Sequence, residues 1–280
     1  MTSGGPPAVP RRRASRVSWR ALGIALVSTI VVLGALILVV TNAPGWPEFK
    51  QEFLNGPIFW SSLPGIVAAF WKNILLFMIA EALILPLGLV IAVMRGLPGP
   101  VFFPVRGLAT IYVDVFRALP SVLVIYVLGF GIPGLGLPGV PNDLFIWGIV
   151  ALTLIYSAYV SEVYRAGIDS VHPSQDAAAR SLGLSRFQSL RHVIVPQAVR
   201  RVTPPLLNDF IGLQKDTVLV SFIGVVEIFR TAQIKQQATF NFTPYLGVAL
   251  VFIVVTIPLA RFTDWLIARD KRRASAGGTR

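Results

Sequence analysis

Residues 157–227 read SAYVSEVYRAGIDSVHPSQDAAARSLGLSRFQSLRHVIVPQAVRRVTPPLLNDFIGLQKDTVLVSFIGVVE. A polar, basic, helix-forming stretch lies here between two apolar ones. Pro173 and Ser174 open a helix, because the fixed φ of proline suits a first turn. Gln175 to Leu182 are mostly good helix formers. Gly183 fits the left-handed position that stops a helix. Ser185 starts a second helix, with Gln188 at capping-box spacing. Pro196 falls about three turns later, where apolar sequence resumes. The product is a helix, a tight glycine turn and a second helix, within a loop of residues 165–200. The side chains of Ala178 and Ala179 are small, so another surface can approach them closely. A chain that keeps so long a structured loop outside an apolar body docks something there.

The body on either side is too apolar for water. Hydrophobic residues make up 54% of the 280 positions and charged ones 14%, with a mean hydropathy of +0.70. Soluble domains carry about 25% charged residues. Several runs approach or exceed the ~20 residues that cross a ~30 Å hydrocarbon core as a helix. Six spans are expected: 21–40, 66–94, 106–130, 143–164, 201–228 and 244–268. The fold class is therefore an all-α membrane protein with about six transmembrane helices. Pro120 is expected to bend the third span. Gln214-Lys215-Asp216-Thr217 interrupts the fifth, which is either a broken helix lining a cavity or one long tilted helix. Residues 42–65, 129–141 and 229–243 read as loops. Residues 1–20 read as a disordered basic tail, 21–41 as a separate first helix, and 269–280 as a second basic tail.

The net charge of +12 admits nucleic-acid binding or membrane orientation. Its distribution decides. The termini and the even-numbered segments hold Arg11, Arg12, Arg13, Arg95, Arg106, Arg180, Arg186, Arg191, Lys271 and Arg272, among others. The opposite loops hold Lys50, Arg230 and Lys235. Cytoplasmic loops collect Lys and Arg, so both termini and the 165–200 loop are expected in the cytoplasm, and no nucleic acid is needed.

The chain has no cysteine, which excludes disulfides and thiolate chemistry. His172 and His192 read as loop residues rather than metal ligands. No H-E-x-x-H and no nucleophile with a base is present, so an integral-membrane enzyme is disfavoured.

The loop resembles the cytoplasmic signature of ABC-importer permease subunits, E-A-A-x3-G-x9-I-x-L-P. Here it runs Ala177-Ala178-Ala179, three residues, Gly183, nine residues, Val193, one residue, Val195-Pro196. Tyr112-Val113-Asp114-Val115-Phe116-Arg117-Ala118-Leu119-Pro120, Pro204-Pro205-Leu206, Asn208 and Lys215-Asp216-Thr217 are similar to the polar amino-acid branch of that family. The resemblance covers about residues 65–268 and implies a type I importer permease core in a bacterial cytoplasmic membrane. It implies a second permease subunit (self or sister), cytoplasmic ATPase subunits docked on the loop, an external solute-binding protein, and an amino-acid substrate. The coupling residues would be Asp176, Ala177, Ala178, Ala179, Gly183 and Pro196. The signature Glu is replaced by Ala177, and Asp176 lies about 100° around the helix from it. The chain has no G-x-x-x-x-G-K-[ST] phosphate loop, so it would hold no cofactor itself, and ATP with Mg would bind the partner ATPase.

Charges inside an apolar span pair, meet water or carry function. Glu81 falls in the second span, Arg117 in the third, and Asn208, Lys215 and Asp216 in the fifth. They either line a substrate path or form structural pairs, and a Glu81–Lys215 pair is the specific expectation. An ion-gradient-driven transporter or channel would explain Glu81 and Lys215 but not the helix–glycine–helix loop.

Overall fold

The computed structural model describes residues 19–277, and every regular element among them is helical. The tail at 1–18 lies outside the described residues. The chain divides into two units, Met1–Gln51 and Glu52–Arg280. In the first, α1 (Trp19–Thr41) is uncharged after Arg20 and has no buried residue. A short helix follows, α2 (Trp46–Phe53), with Trp46, Phe49 and Phe53 at helical spacing and Glu48, Lys50 and Gln51 between them. It occupies part of the segment read as a loop.

The second unit is a helical bundle. Its long strut is α3 (Gly56–Arg95), which starts ten residues before the expected span at 66. Pro57 fits the helix start, while Pro64 and Pro86 lie inside the helix. Asn55 accepts a hydrogen bond from the Ile58 N–H at 3.2 Å, and Pro57 sits in the first turn where its missing N–H costs nothing.

The third span bends at Pro120 as expected, and sharply enough to break the helix there. Helix α4 (Phe103–Ala118) ends at Leu119, whose ψ of 137° is extended, as the residue before a proline prefers. Helix α5 (Ser121–Gly134) leaves at 108° to the preceding segment and passes through a π turn at Val127–Gly131. It therefore takes up half of the glycine- and proline-rich stretch expected to be a loop. The central helix is α6 (Leu144–Asp169), capped by Asp143, whose Oδ1 accepts from the Phe145 N–H at 2.8 Å.

After the extramembrane helix α7 (Pro173–Ser181) comes the longest composite element, α8 (Arg186–Ile223). It is neither interrupted at 214–217 nor uniform. It stays α-helical from Val195 to Asp216, then tightens to a 3-10 helix over Thr217–Ile223. The break comes later, at Gly224, whose φ of 95° is left-handed. The stretch read as a polar outer loop is helix α9 (Ile228–Thr239), bent 48° from α8. Glu227 explains it: its carboxylate accepts from the N–H groups of Phe229 (3.1 Å) and Arg230 (2.8 Å), capping the helix at its positive end. Helix α10 (Thr243–Gly277) closes the bundle and runs through much of the expected C-terminal tail.

The main core joins α3, α5, α6 and α8 through Leu76, Ile84, Ile125, Leu152, Ile155 and Leu213. A second core holds α9 and α10 to α3 through Ile66, Phe70, Ile228, Ala232 and Val248. At the end of the bundle next to α7, α6 and α8 nearly touch. A Cβ built on Gly167 would overlap Val202 Cγ1, so only glycine permits this approach. Among the described residues four single helices are long and apolar enough to cross a membrane, and up to six spans result if each of two bent pairs counts as one.

Candidate transport and coupling sites

The extramembrane hairpin is fixed by local chemistry. His172 caps α7, its Nδ1 accepting from the Ser174 N–H at 3.2 Å. The helix stops at Gly183, whose φ is 88°. The Leu184 N–H reaches Ala179 O at 3.2 Å and the Gly183 N–H reaches Arg180 O at 2.9 Å, the paired bonds of a Schellman turn. The capping box opens the next helix. Gln188 N–H donates to Ser185 Oγ at 3.3 Å, and the Ser185 N–H donates to Gln188 Oε1 at 2.8 Å.

Asp176 has a structural task here. Its Oδ1 accepts from the hydroxyl of the buried Ser189 at 2.5 Å, locking the two arms together. Ala179 is buried in the same seam, so it does not offer the outward face expected of it. The outward surface comprises Ala177, Ala178, Arg180 and Gly183. Beside them stand two large apolar side chains that sequence reasoning passed over, Leu182 at 85% and Phe187 at 67% exposure. Pro196 lies in the first turn after a π turn at Leu190–Ile194 and is exposed.

Among the intramembrane residues, Asn208 and Asp216 come together. With Asp209, Gly212, Ser121, Tyr156 and Tyr159 they line a pocket of about 190 Å3. The helix register explains the grouping. Asp209, Gly212 and Asp216 follow at three and four residues, so they share one face of α8. Tyr156 stands halfway along α6 and donates its hydroxyl to Asp216 Oδ2 at 2.8 Å. Asp209 Oδ2 is buried without a hydrogen-bond partner. Nothing in the sequence singled out Asp209 except its position one turn and three residues before Asp216.

Glu81 lies within electrostatic range of Asp209 and Tyr164 rather than lining the pocket. Arg117 lies at the pocket's margin: its guanidinium is 5.8 Å from the centre of the Tyr159 ring and 3.8 Å from Glu162. Glu162 also bonds Arg95. Lys215 lies elsewhere. It is exposed, and among the described residues it forms no ion pair, so the expected Glu81–Lys215 pair is absent. The reason is angular: position 215 is about 240° around the helix from position 209, which is the side that meets Glu81.

A second polar cluster was invisible in the sequence. The Asn73 carboxamide donates to Thr217 Oγ1 (3.0 Å) and Glu227 Oε2 (2.9 Å), and its oxygen accepts from the Ile228 N–H (3.2 Å). All three side chains are buried. Among the described residues no group of three or more His, Cys, Asp or Glu side chains is placed to hold a metal ion.

A multi-pass helical bundle with a polar pocket at mid-depth and a rigid extramembrane hairpin is a membrane transport subunit. The chain belongs to the family of binding-protein-dependent transport system inner membrane components, whose pattern matches residues 84–272. It is 36% identical over 217 residues to a probable glutamine ABC transporter permease protein, GlnM, of Bacillus subtilis, covering 77% of this chain and 98% of the relative. It is 34% identical over 212 residues to the glutamate transport system permease protein GluC of Corynebacterium efficiens, covering 71% and 92%.

A crystal structure of an amino acid ABC transporter with histidines superimposes with a TM-score of 0.67 at 32% identity, over 74% of this chain and 94% of that one. Inward-facing MetNI, a methionine ABC transporter, shares the fold with a TM-score of 0.61 at 16% identity, over 77% and 99%. The type I importer architecture is therefore present, and the chain is a permease subunit of an ABC importer. The ion-gradient-driven alternative falls with that membership.

Proposed function

We propose that this permease conducts a polar amino acid into the cytoplasm, driven by ATP that a separate ATPase subunit binds with Mg and hydrolyses. The observation that carries the substrate class is the pocket halfway along α6. In an otherwise apolar bundle, Asp209 and Asp216 offer anions to an ammonium group, while Ser121, Tyr159 and Asn208 offer hydrogen-bond donors to a carboxylate. Related permeases that carry glutamine, glutamate or amino acid in their names agree with it.

The hairpin at 173–189 is the docking element for the ATPase, with Ala177, Ala178, Gly183, Leu182 and Phe187 outermost and Asp176 holding its shape. In this reading both termini lie in the cytoplasm, which the arginine distribution supports. An external binding protein delivers the substrate on the opposite face, and a second permease subunit completes the path. Arg117 and Glu81 stand beside the pocket and tune its field.

Uptake of a panel of labelled amino acids by membranes carrying the complete importer tests the reading. Asp209→Asn should lower uptake while leaving ATPase co-purification intact, and Gly183→Val should abolish co-purification. Uptake of none of the panel, or unchanged uptake with Asp209→Asn, would remove the pocket from the path.

A further inference from the structure

Two charges of opposite sign face outward at the middle of the bundle. Lys215 on α8 is exposed beside Asp216, which bonds Tyr156 at the midpoint of α6. Asp114 on α4 is exposed two residues from Tyr112, whose hydroxyl donates to Leu154 O at 2.7 Å, also near that midpoint. Both therefore stand at about the same depth in the membrane. Among the described residues neither has an ion-pair partner, although Arg117, Arg95 and Glu162 nearby are all engaged with one another.

The surface around them is organised. Asn208 and Lys215 are both exposed and seven residues apart within the α-helical part of α8, so they share one side of it. Asp114 is within about 60° of Arg117 around α4, the side on which Arg117 covers Tyr159. The pocket is lined by α5, α6 and α8; Lys215 adjoins its lining residue Asp216 in sequence, and Asp114 lies on the side of α4 from which Arg117 reaches its lining residue Tyr159. Its lining residues Tyr159 and Asn208 are themselves exposed, so this face is the open side of the pocket. Lipid cannot be the neighbour of this face, because an unpaired charge at mid-depth is among the costliest groups a bilayer can hold.

We infer that Lys215 of one copy of this chain pairs with Asp114 of a second copy across a two-fold axis, and that the second copy closes the open side of the pocket. In an isologous interface each residue meets its counterpart twice, so one chain that carries both charges complements itself without any sister sequence. Exchanged pairs of this kind also fix register, since a misaligned pair leaves two charges unmatched. The inference rests on the proposed function only in expecting a second transport subunit.

Cysteine chemistry tests it cleanly, because the native chain has no cysteine. Asp114→Cys in one tagged copy and Lys215→Cys in a differently tagged copy are co-expressed with the ATPase and oxidised in membranes. The expected product is a covalent dimer of the two tags, with no dimer from either variant alone. In parallel, Asp114→Lys and Lys215→Asp should each lower uptake about tenfold or more, and the double variant should recover to within about threefold of the native rate.

Three results overturn the inference: a dimer from Lys215→Cys alone, a covalent product with a different chain, or no dimer while a charged maleimide labels both cysteines from water. Single variants that transport normally overturn it as well. Native uptake and ATPase co-purification are measured in the same membranes. Their absence counts against the proposed function, whereas their presence with no dimer counts against this pairing alone. Membrane levels of each variant identify a folding loss, and recovery in the double variant is not available to a chain that merely misfolds.

Discussion

Ser189 donates a 2.5 Å hydrogen bond to Asp176, joining the two arms of the extramembrane hairpin across thirteen residues. Asp176→Ala would leave the hydroxyl of a fully buried serine without this acceptor, at about 1–3 kcal/mol. Ser189→Ala removes the hydroxyl itself and should cost less. Hydrogen exchange over residues 173–196 should therefore rise more in Asp176→Ala than in Ser189→Ala, with the double variant no worse than the former. Equal exchange in all three would show that the bond holds nothing.

The close approach of α6 and α8 predicts a compensated pair. Gly167→Ala forces its new methyl into Val202 and should lower stability by about 1–3 kcal/mol through overpacking. Val202→Ala removes the offending methyl, and the remaining Val202 Cβ position is 3.5 Å from the built atom, an ordinary contact. Thermal unfolding in detergent should show Gly167→Ala/Val202→Ala more stable than Gly167→Ala alone.

Asn73→Ala removes the shared partner of Thr217, Glu227 and the Ile228 N–H. With these groups buried, the loss should be about 3 kcal/mol or more. Limited proteolysis should then cut near the start of α9 while the extramembrane hairpin stays protected. Uniform sensitivity along the chain would contradict so local a role.

Ala177 is exposed, so Ala177→Glu meets no packed neighbour. Position 177 is the middle residue of α7, past the first turn, so the helix dipole favours neither state strongly and the change should alter stability by less than about 1 kcal/mol. ATPase co-purification should be retained or increased. A complete loss would remove this hairpin from the docking role.

The sequence revealed what is decided locally. Gly183 and the Ser185–Gln188 box were legible because their partners lie within a few residues, and the backbone alone dictates the outcome. Asp209 and Asp216 share a face for the same reason, though only Asp216 was marked by a motif. The Asn73 cluster was not legible, because its members are separated by 144 and 154 residues. Helix α9 was missed because its polar composition reads as loop. Its helicity comes from the Glu227 cap and from Ile228 and Ala232 packed on α3. The Glu81–Lys215 pair was a sound electrostatic guess that helix phase defeats. Pro120 was rightly marked as a disruption, but its magnitude depends on how α4 and α5 pack on α6 and α8, which no local pattern records.

The single carboxamide of Asn73 has a mechanical consequence. It rivets a strut, the tightened end of a second helix and the start of a third at one point, with every hydrogen-bonding group in use. That end of the subunit must tilt as a block rather than flex. The elbow at Leu119-Pro120, where helical bonding lapses and 108° of turn is taken in two residues, lies outside that riveted block.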